Sequence, residues 1–410
     1  MSTVLTSIPT LVESPFIIAT IGGVTFGSYS GENSYGAAVN VTYPNFMKSM
    51  IIDKVNGTVN TYTLNFSYQV RPGTDPNLLD KIFSKATKDR RISLKYGDWN
   101  APSFIYKEEV CIITSITSSL NMSNSSIDYT VKCTSDAIAL TATPHNFAAR
   151  VAKPSDVMME LLRTNRYGLS QVFSGMQNIN NVLMNNLISS NDKQVELLPQ
   201  NNVNVLSYMN YLVDSMINNN NKNTDVSDSK YYLTVHDDTH NNIGGTYFKV
   251  TEVNKNTQTV NSLDTYELDI NYPGDNFVTQ FSIRNDQSWS ILYEFNNDIK
   301  QEQYNYSIDD EGNMTTTYSP PLIKSSLNNS PSAAKSSWWT QMTEFPIKGS
   351  VTIKGLTRPS ILMSYVKVNV LFNGGIKHIS SGLYIITKQT DIIDASGYKT
   401  TLELLRVGGD

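Results

Sequence analysis

The stretch HDDTH, His236 to His240, is where histidine spacing most resembles a metal site. Two histidines four apart share one face of a helix and can hold a zinc ion, with an acid after the first serving as base. The flanks do not give a helix: YYLTV before it reads as a strand and NNIGG after it as a turn. On an extended strand the two imidazoles would stand about 13 Å apart. Asp237 is also shorter than the glutamate such a site uses. The pattern predicts a polar turn with two exposed histidines and no metal.

The remaining reactive vocabulary is small. There are four histidines and two cysteines, and no nucleophile elbow, phosphate loop or Cys-x-x-Cys pair occurs. IDDEG, Ile308 to Gly312, reads as a turn and lacks the further ligands of a calcium loop. The acids in GDNFVTQFSIRND sit at strand ends, where they cap turns. Paired carboxylates for glycoside cleavage depend on a separation that only the fold sets. Cys111 and Cys133 lie in strand-like stretches and read as small apolar core residues in a reducing compartment. Trp338 and Trp339, in SSWWTQ, form a candidate partner-binding spot. No catalytic residue, metal ligand or cofactor is expected.

The elements that must position these residues are mostly strands. The chain has 410 residues, 40% hydrophobic and only 17% charged, with 23 Tyr and 14 Phe. That balance favours strands and hydrogen-bonded turns and supplies enough apolar surface for more than one core. A net charge of −5 gives no reason to expect nucleic acid as a sequence-specific partner. The one basic cluster, SKATKDRRISLK, reads as a solvated surface. No 18-residue apolar run is present, so no spanning helix is expected. The first basic residue is Lys48, which leaves PFIIATIGGVTFG without the positive flank of a signal peptide.

Alternation marks TYTLNFSYQV, RRISLKYGD and SSIDYTVKCTS as strands. Between the first two, Asp75 and Pro76 open a helix whose Leu78, Leu79, Ile82 and Phe83 share a face. The character changes near Pro144. Helical stripes follow at Val157, Met158, Leu161 and Leu162, with Ser155 as cap, and at Leu206, Met209, Leu212, Val213 and Met216. Strand patterns return after the polar run at 218–230 and continue to the end. One echo spans the two β-rich parts. IIT opens both CIITSITSSLNMSNSSIDYTVKC at Ile112 and YIITKQTDIIDASGYKTTLELL at Ile385, each with a Thr three residues after the first and a Tyr re-entry at Tyr129 or Tyr398.

The closing segment, SGLYIITKQTDIIDASGYKTTLELLRVGG, resembles the final hairpin of phage baseplate hub proteins. Gly382, Tyr384, Gly397, Tyr398, Thr400, Leu402, Leu404 and Arg406 carry the likeness. The lead-in strands from FPIKGSVTIKG and the two helical segments are similar in pattern, and the fold is shared with contractile injection systems. The resemblance implies a mainly β chain with a helical middle (α+β): two tail-tube-like β-barrels joined by a helical, loop-rich region. It places a first barrel at 1–145, a helical linker at 146–229, and a second barrel at 230–410 with a loop insertion around 296–345.

The resemblance further implies a virion structural protein without catalysis, a homotrimeric hub joining the sixfold tail tube to the threefold central spike. Its partners would be itself, the tail tube protein, a spike or tail-tip protein and possibly a tape-measure protein. It would be assembled in the host bacterial cytoplasm and reside in the tail or baseplate. Interface candidates are Trp338, Trp339, Tyr384, Tyr398 and Arg406. The alternatives are a distal-tail ring protein, or a receptor- or carbohydrate-binding β-protein with an exposed aromatic groove around Trp99 or Trp338.

Overall fold

The computed structural model describes residues 14–28, 30–32, 36, 38–89, 91–99, 106–123, 125–163, 187, 190, 192–216, 229–237, 246–254, 265–270, 278–285, 304–308, 314–318, 347–355, 362–372, 376–378 and 380–408. The chain is mainly β, with few helices and curled sheets.

The first part contributes β1 (Pro15–Ile21), β2 (Val24–Gly27), β3 (Gly31–Glu32), β4 (Ala38–Val39), β5 (Tyr43–Pro44), β6 (Met47–Val55), β7 (Thr61–Gln69), β8 (Arg91–Asp98), β9 (Tyr106–Asn121) and β10 (Ser126–Thr134). Helix α1 (Leu78–Asp89) lies between β7 and β8. It starts two residues later than Pro76, because Asp75 first closes a turn by accepting from the Asn77 amide at 2.9 Å. Its Leu79, Ile82 and Phe83 are buried with Phe26, Leu64, Phe66, Ile92, Leu94, Tyr129 and Val131 in one apolar core. Alternation of buried and partly exposed side chains along β7 and β8 follows directly from the period of two.

The middle holds a 3₁₀ turn (Asp136–Thr141), β11 (Pro144–Phe147), β12 (Arg150–Ala152), α2 (Pro154–Arg163), β13 (Val195–Leu197), β14 (Gln200–Asn204) and α3 (Val205–Asp214). Asn204 caps α3 by accepting from the Ser207 amide. Ser155 lies inside α2 rather than ahead of it, and its amide and hydroxyl both donate to Asp192. The antiparallel pair β15 (Ser229–His236) and β16 (Tyr247–Asn254) lies between neighbours. Tyr231, Leu233, Val235, Phe248 and Val250 pack on the helices. Tyr232 and Val253 join Met363, Leu383, Ile385, Leu405 and Val407 of the C-terminal sheet.

The last part contributes β17 (Thr265–Ile270), β18 (Val278–Asn285), β19 (Tyr304–Ile308), β20 (Met314–Tyr318), β21 (Ile347–Lys354), β22 (Tyr365–Phe372), β23 (Ile376–Lys377), β24 (Gly382–Asp394) and β25 (Gly397–Gly408). β19 and β20 pair across the IDDEG segment, most of which lies outside the described residues.

Two sets of strands share one order. In the first part neighbours run β6-β7-β10-β9-β8; in the last they run β18-β21-β25-β24-β22. Irregularities coincide as well. The β9–β10 register skips Thr114, and the β24–β25 register skips Thr387, the Thr of each IIT. The β6–β7 register skips Lys48, and the β18–β21 register skips Thr279. Bulges fix register and bend a strand locally, so matched bulges identify equivalent positions. They set Ser115–Leu120 of β9 against Lys388–Ile393 of β24. They also set Met47–Lys54 of β6 against Val278–Asn285 of β18. The tyrosine match expected from the echo moves by two residues, because the bulge register pairs Tyr398 with Ile127 and Tyr129 with Thr400.

The two sets are joined within the chain. β24 pairs with β6 from Lys388↔Val55 to Ile393↔Met50, so one sheet runs through both. The closing hairpin carries the joint, and its Ile393 and Tyr398 lie in the core of the first part.

Candidate functional site

Where β24 meets β6, the interior is polar. Lys54 of β6 and Glu109 of β9 form an ion pair with both side chains almost wholly buried. Alternation requires this: Met50, Ile52 and Lys54 share the inward face of β6, and the last of them is charged. Glu109 also accepts from the Tyr62 and Tyr96 hydroxyls, each at 2.6 Å. Burial, with the carboxylates of Glu109 and Asp237 or Asp391 nearby, holds both phenols well above their ordinary range, so they remain donors.

Asp237, just past the end of β15, is the second hub. Its Oδ1 accepts from Ser135 and Thr246, each at 2.6 Å, and its Oδ2 from the Asn60 amide at 2.7 Å. The Tyr62 hydroxyl also lies 3.0 Å from Oδ2. One phenolic hydrogen cannot serve Glu109 and Asp237 together. The shorter bond goes to Glu109 at 2.6 Å, and Asp237 Oδ2 takes the longer, secondary contact. Burial pushes the Asp237 carboxyl up to about 6, with Ser135, Thr246 and Asn60 pulling down and the Glu109 charge adding to the rise.

Asp391 of β24 is the third hub, accepting from Gln389, Tyr398 and Thr400 at 2.8, 3.1 and 2.6 Å. Tyr96 and Tyr398 meet edge to face with centroids 6.3 Å apart, which links the third hub to the first. Each carboxylate is enclosed by donors from the strands and the segments that flank them, and the three together fasten β24, β6 and the β15 end. This cluster is a structural lock built from charge-assisted hydrogen bonds.

His236 is buried rather than exposed, because the β15–β16 pair is enclosed on both faces. It stacks on Tyr247 at 4.8 Å and meets the Thr234 hydroxyl at 2.9 Å. Burial, with the Lys249 and Lys54 charges, lowers it to about 3, so it is neutral. His240 lies outside the described residues, among which no group of three or more His, Cys, Asp or Glu is placed to hold a metal. Cys111 and Cys133 are buried free thiols.

Of the interface candidates, Trp338 and Trp339 lie outside the described residues. Tyr384, Tyr398 and Arg406 are inside the chain. Tyr384 is in the core of the last part and donates to the Ser380 carbonyl at 2.6 Å. Arg406 is 1% exposed and donates to the Ser381 carbonyl at 2.7 Å. The strand alternation that makes their motif regular also turns these side chains inward. Trp99 packs edge-on against Phe16 and is 8% exposed, so it cannot form the aromatic groove of the carbohydrate-binding alternative. The residues that sequence reasoning missed are the lock itself. A lysine alternating with Met50 and Ile52, and a glutamate two residues before Cys111, were the available signals.

No protein-family model matches the chain, and no curated protein matches it. Over most of its length the chain is similar to solved structures of phage tail and type VI secretion proteins. A tail protein from Neisseria meningitidis is 10% identical, with 96% of this chain and 97% of that one covered and a TM-score of 0.48. The 43 kDa tail protein of prophage MuSo2 from Shewanella oneidensis gives 10%, 96%, 97% and 0.47. An E. coli type VI secretion component, described as structurally similar to T4 phage tail proteins, gives 8%, 90%, 76% and 0.43. Among the described residues no helix is long and apolar enough to cross a membrane.

Proposed function

We propose that the chain is a structural component of a phage tail, a baseplate hub whose copies form a ring between the tail tube and the central spike. The observation that carries this reading is the repeated strand set fused through β24 and β6. A chain holding two like units edge to edge is suited to a ring with twice as many units as chains. In this reading 1–145 and 230–410 are the two tube-like barrels, 146–229 is the helical brace between them, and three chains supply six units. The β15–β16 pair, although within the second span, packs on the brace and ties it to both. The buried carboxylates serve as hydrogen-bond hubs, and no catalytic step is assigned to them. The resemblance of the closing hairpin to those of hub proteins points the same way.

Light scattering on the purified protein, alone and mixed with its neighbouring tail proteins, tests the reading. A discrete trimer, or a monomer that becomes one when the spike protein is added, is the expected result. A monomer indifferent to both would sink it.

A further inference from the structure

The joint between the two units has a counterpart that is left open. In β24, the first residues pair with β22 and the outer half, Lys388–Ile393, pairs with β6. In β9, the first residues through Ile112 pair with β8, and the outer half pairs with β10 on its other side. Among the described residues nothing pairs with the free edge of Ser115–Leu120. The strand equivalent to β6 is β18, and among the described residues it ends the sheet, paired only with β21.

Burial follows the same division. At the closed joint Met50, Ile52, Gln389, Asp391 and Ile393 are all buried. At the open positions Ser118 is exposed, Leu120 is 71% exposed and Ile283 is 38% exposed. Residues 114–120, TSITSSL, hold no charge and no proline. An uncharged β-prone edge without such guards associates with another strand.

We propose that the outer edge of β9 pairs antiparallel with β18 of a second copy of this chain, repeating between copies the joint that β24 and β6 make within one. The occupant follows from the repeat: the edge equivalent to β24 accepts the strand equivalent to β6. Transferring the closed register places Leu120 opposite Phe281, Ser119 opposite Ser282, Ser118 opposite Ile283 and Thr117 opposite Arg284. The exposed Leu120 and Ile283 are then covered by the partner strand. The contact is heterologous, head to tail, so it closes a ring or extends a chain of copies rather than stopping at a twofold dimer. This deepens the hub reading and rests on it for the presence of more than one copy.

The test uses Ser119→Cys and Ser282→Cys, single substitutions at exposed positions, in the full chain. The two variants are mixed, alone and with the neighbouring tail proteins, and treated with copper phenanthroline. The native thiols are buried and contribute little background. A disulfide-linked dimer in the mixture, at least tenfold above either variant alone, is expected. In the same assembly, amide exchange at 115–120 should slow relative to the monomer. Oligomers that form without the cross-link and without slowed exchange overturn this joint and leave the hub reading standing. Equal cross-linking in each single variant overturns it too. A protein monomeric under every condition overturns both.

Discussion

At the scale of the residue, the lock shows how a buried charge is tolerated. Lys54 and Glu109 neutralise each other, and two phenols supply the remaining donors to the carboxylate. Removing one partner leaves the other charged and enclosed, which costs about 3–5 kcal/mol. Lys54→Met should therefore lower the unfolding free energy by that amount in urea titrations. Asp237 behaves differently, because burial outweighs its donors and raises its carboxyl from the ordinary 3.8 to about 6. Between those values the folded chain holds a proton that the unfolded chain has released, so stability rises as pH falls from about 6 towards 4. It is lost again as pH rises through 6. That displacement sets a ceiling of about 3 kcal/mol. Urea midpoints measured between pH 7.5 and 4.5 should show this slope, and Asp237→Asn should flatten it.

At the scale of the element, the strands and their inward faces were legible from alternation alone, as in Tyr62, Leu64, Phe66 and Tyr68. The helices were legible from their stripes, with starts displaced where a turn or a tertiary partner claimed the expected cap. What could not be read was the exposure of anything at a strand end. His236 and Asp237 look like turn residues, and only the layers on both sides of β15–β16 bury them. The same limit hid the lock, whose members come from β6, β7, β8, β9, β24, β25 and the end of β15, brought together by pairings as distant in sequence as that of Thr390 with Asp53 at 2.6 Å. Turn glycines give a check at this scale. A Cβ on Gly355 would lie 2.1 Å from the Tyr398 ring, which its bond to Asp391 holds in place. Gly397 has φ +118° and open space around it. Gly355→Ala should cost about 3 kcal/mol through overpacking. Gly397→Ala should cost about 1–2 kcal/mol of backbone strain. Guanidinium denaturation of the two variants side by side orders them.

At the scale of the whole molecule, the closing hairpin belongs to both units, since Ile393 and Tyr398 complete a core built by residues more than 250 positions earlier. Ile393→Ala should cost about 2–5 kcal/mol. Hydrogen exchange should then quicken in β7 and β10 as well as in β24 and β25. Quickening confined to the hairpin would show that the units unfold independently. The fused joint has a kinetic consequence as well. Each bimolecular encounter surrenders roughly 4–15 kcal/mol of translational and rotational freedom, but β24 and β6 meet as parts of one polymer, at an effective concentration set by the intervening chain. Any closed ring built from such chains has half its seams already made before two molecules collide. Its assembly then depends on a lower power of protein concentration than that of a ring made from single units.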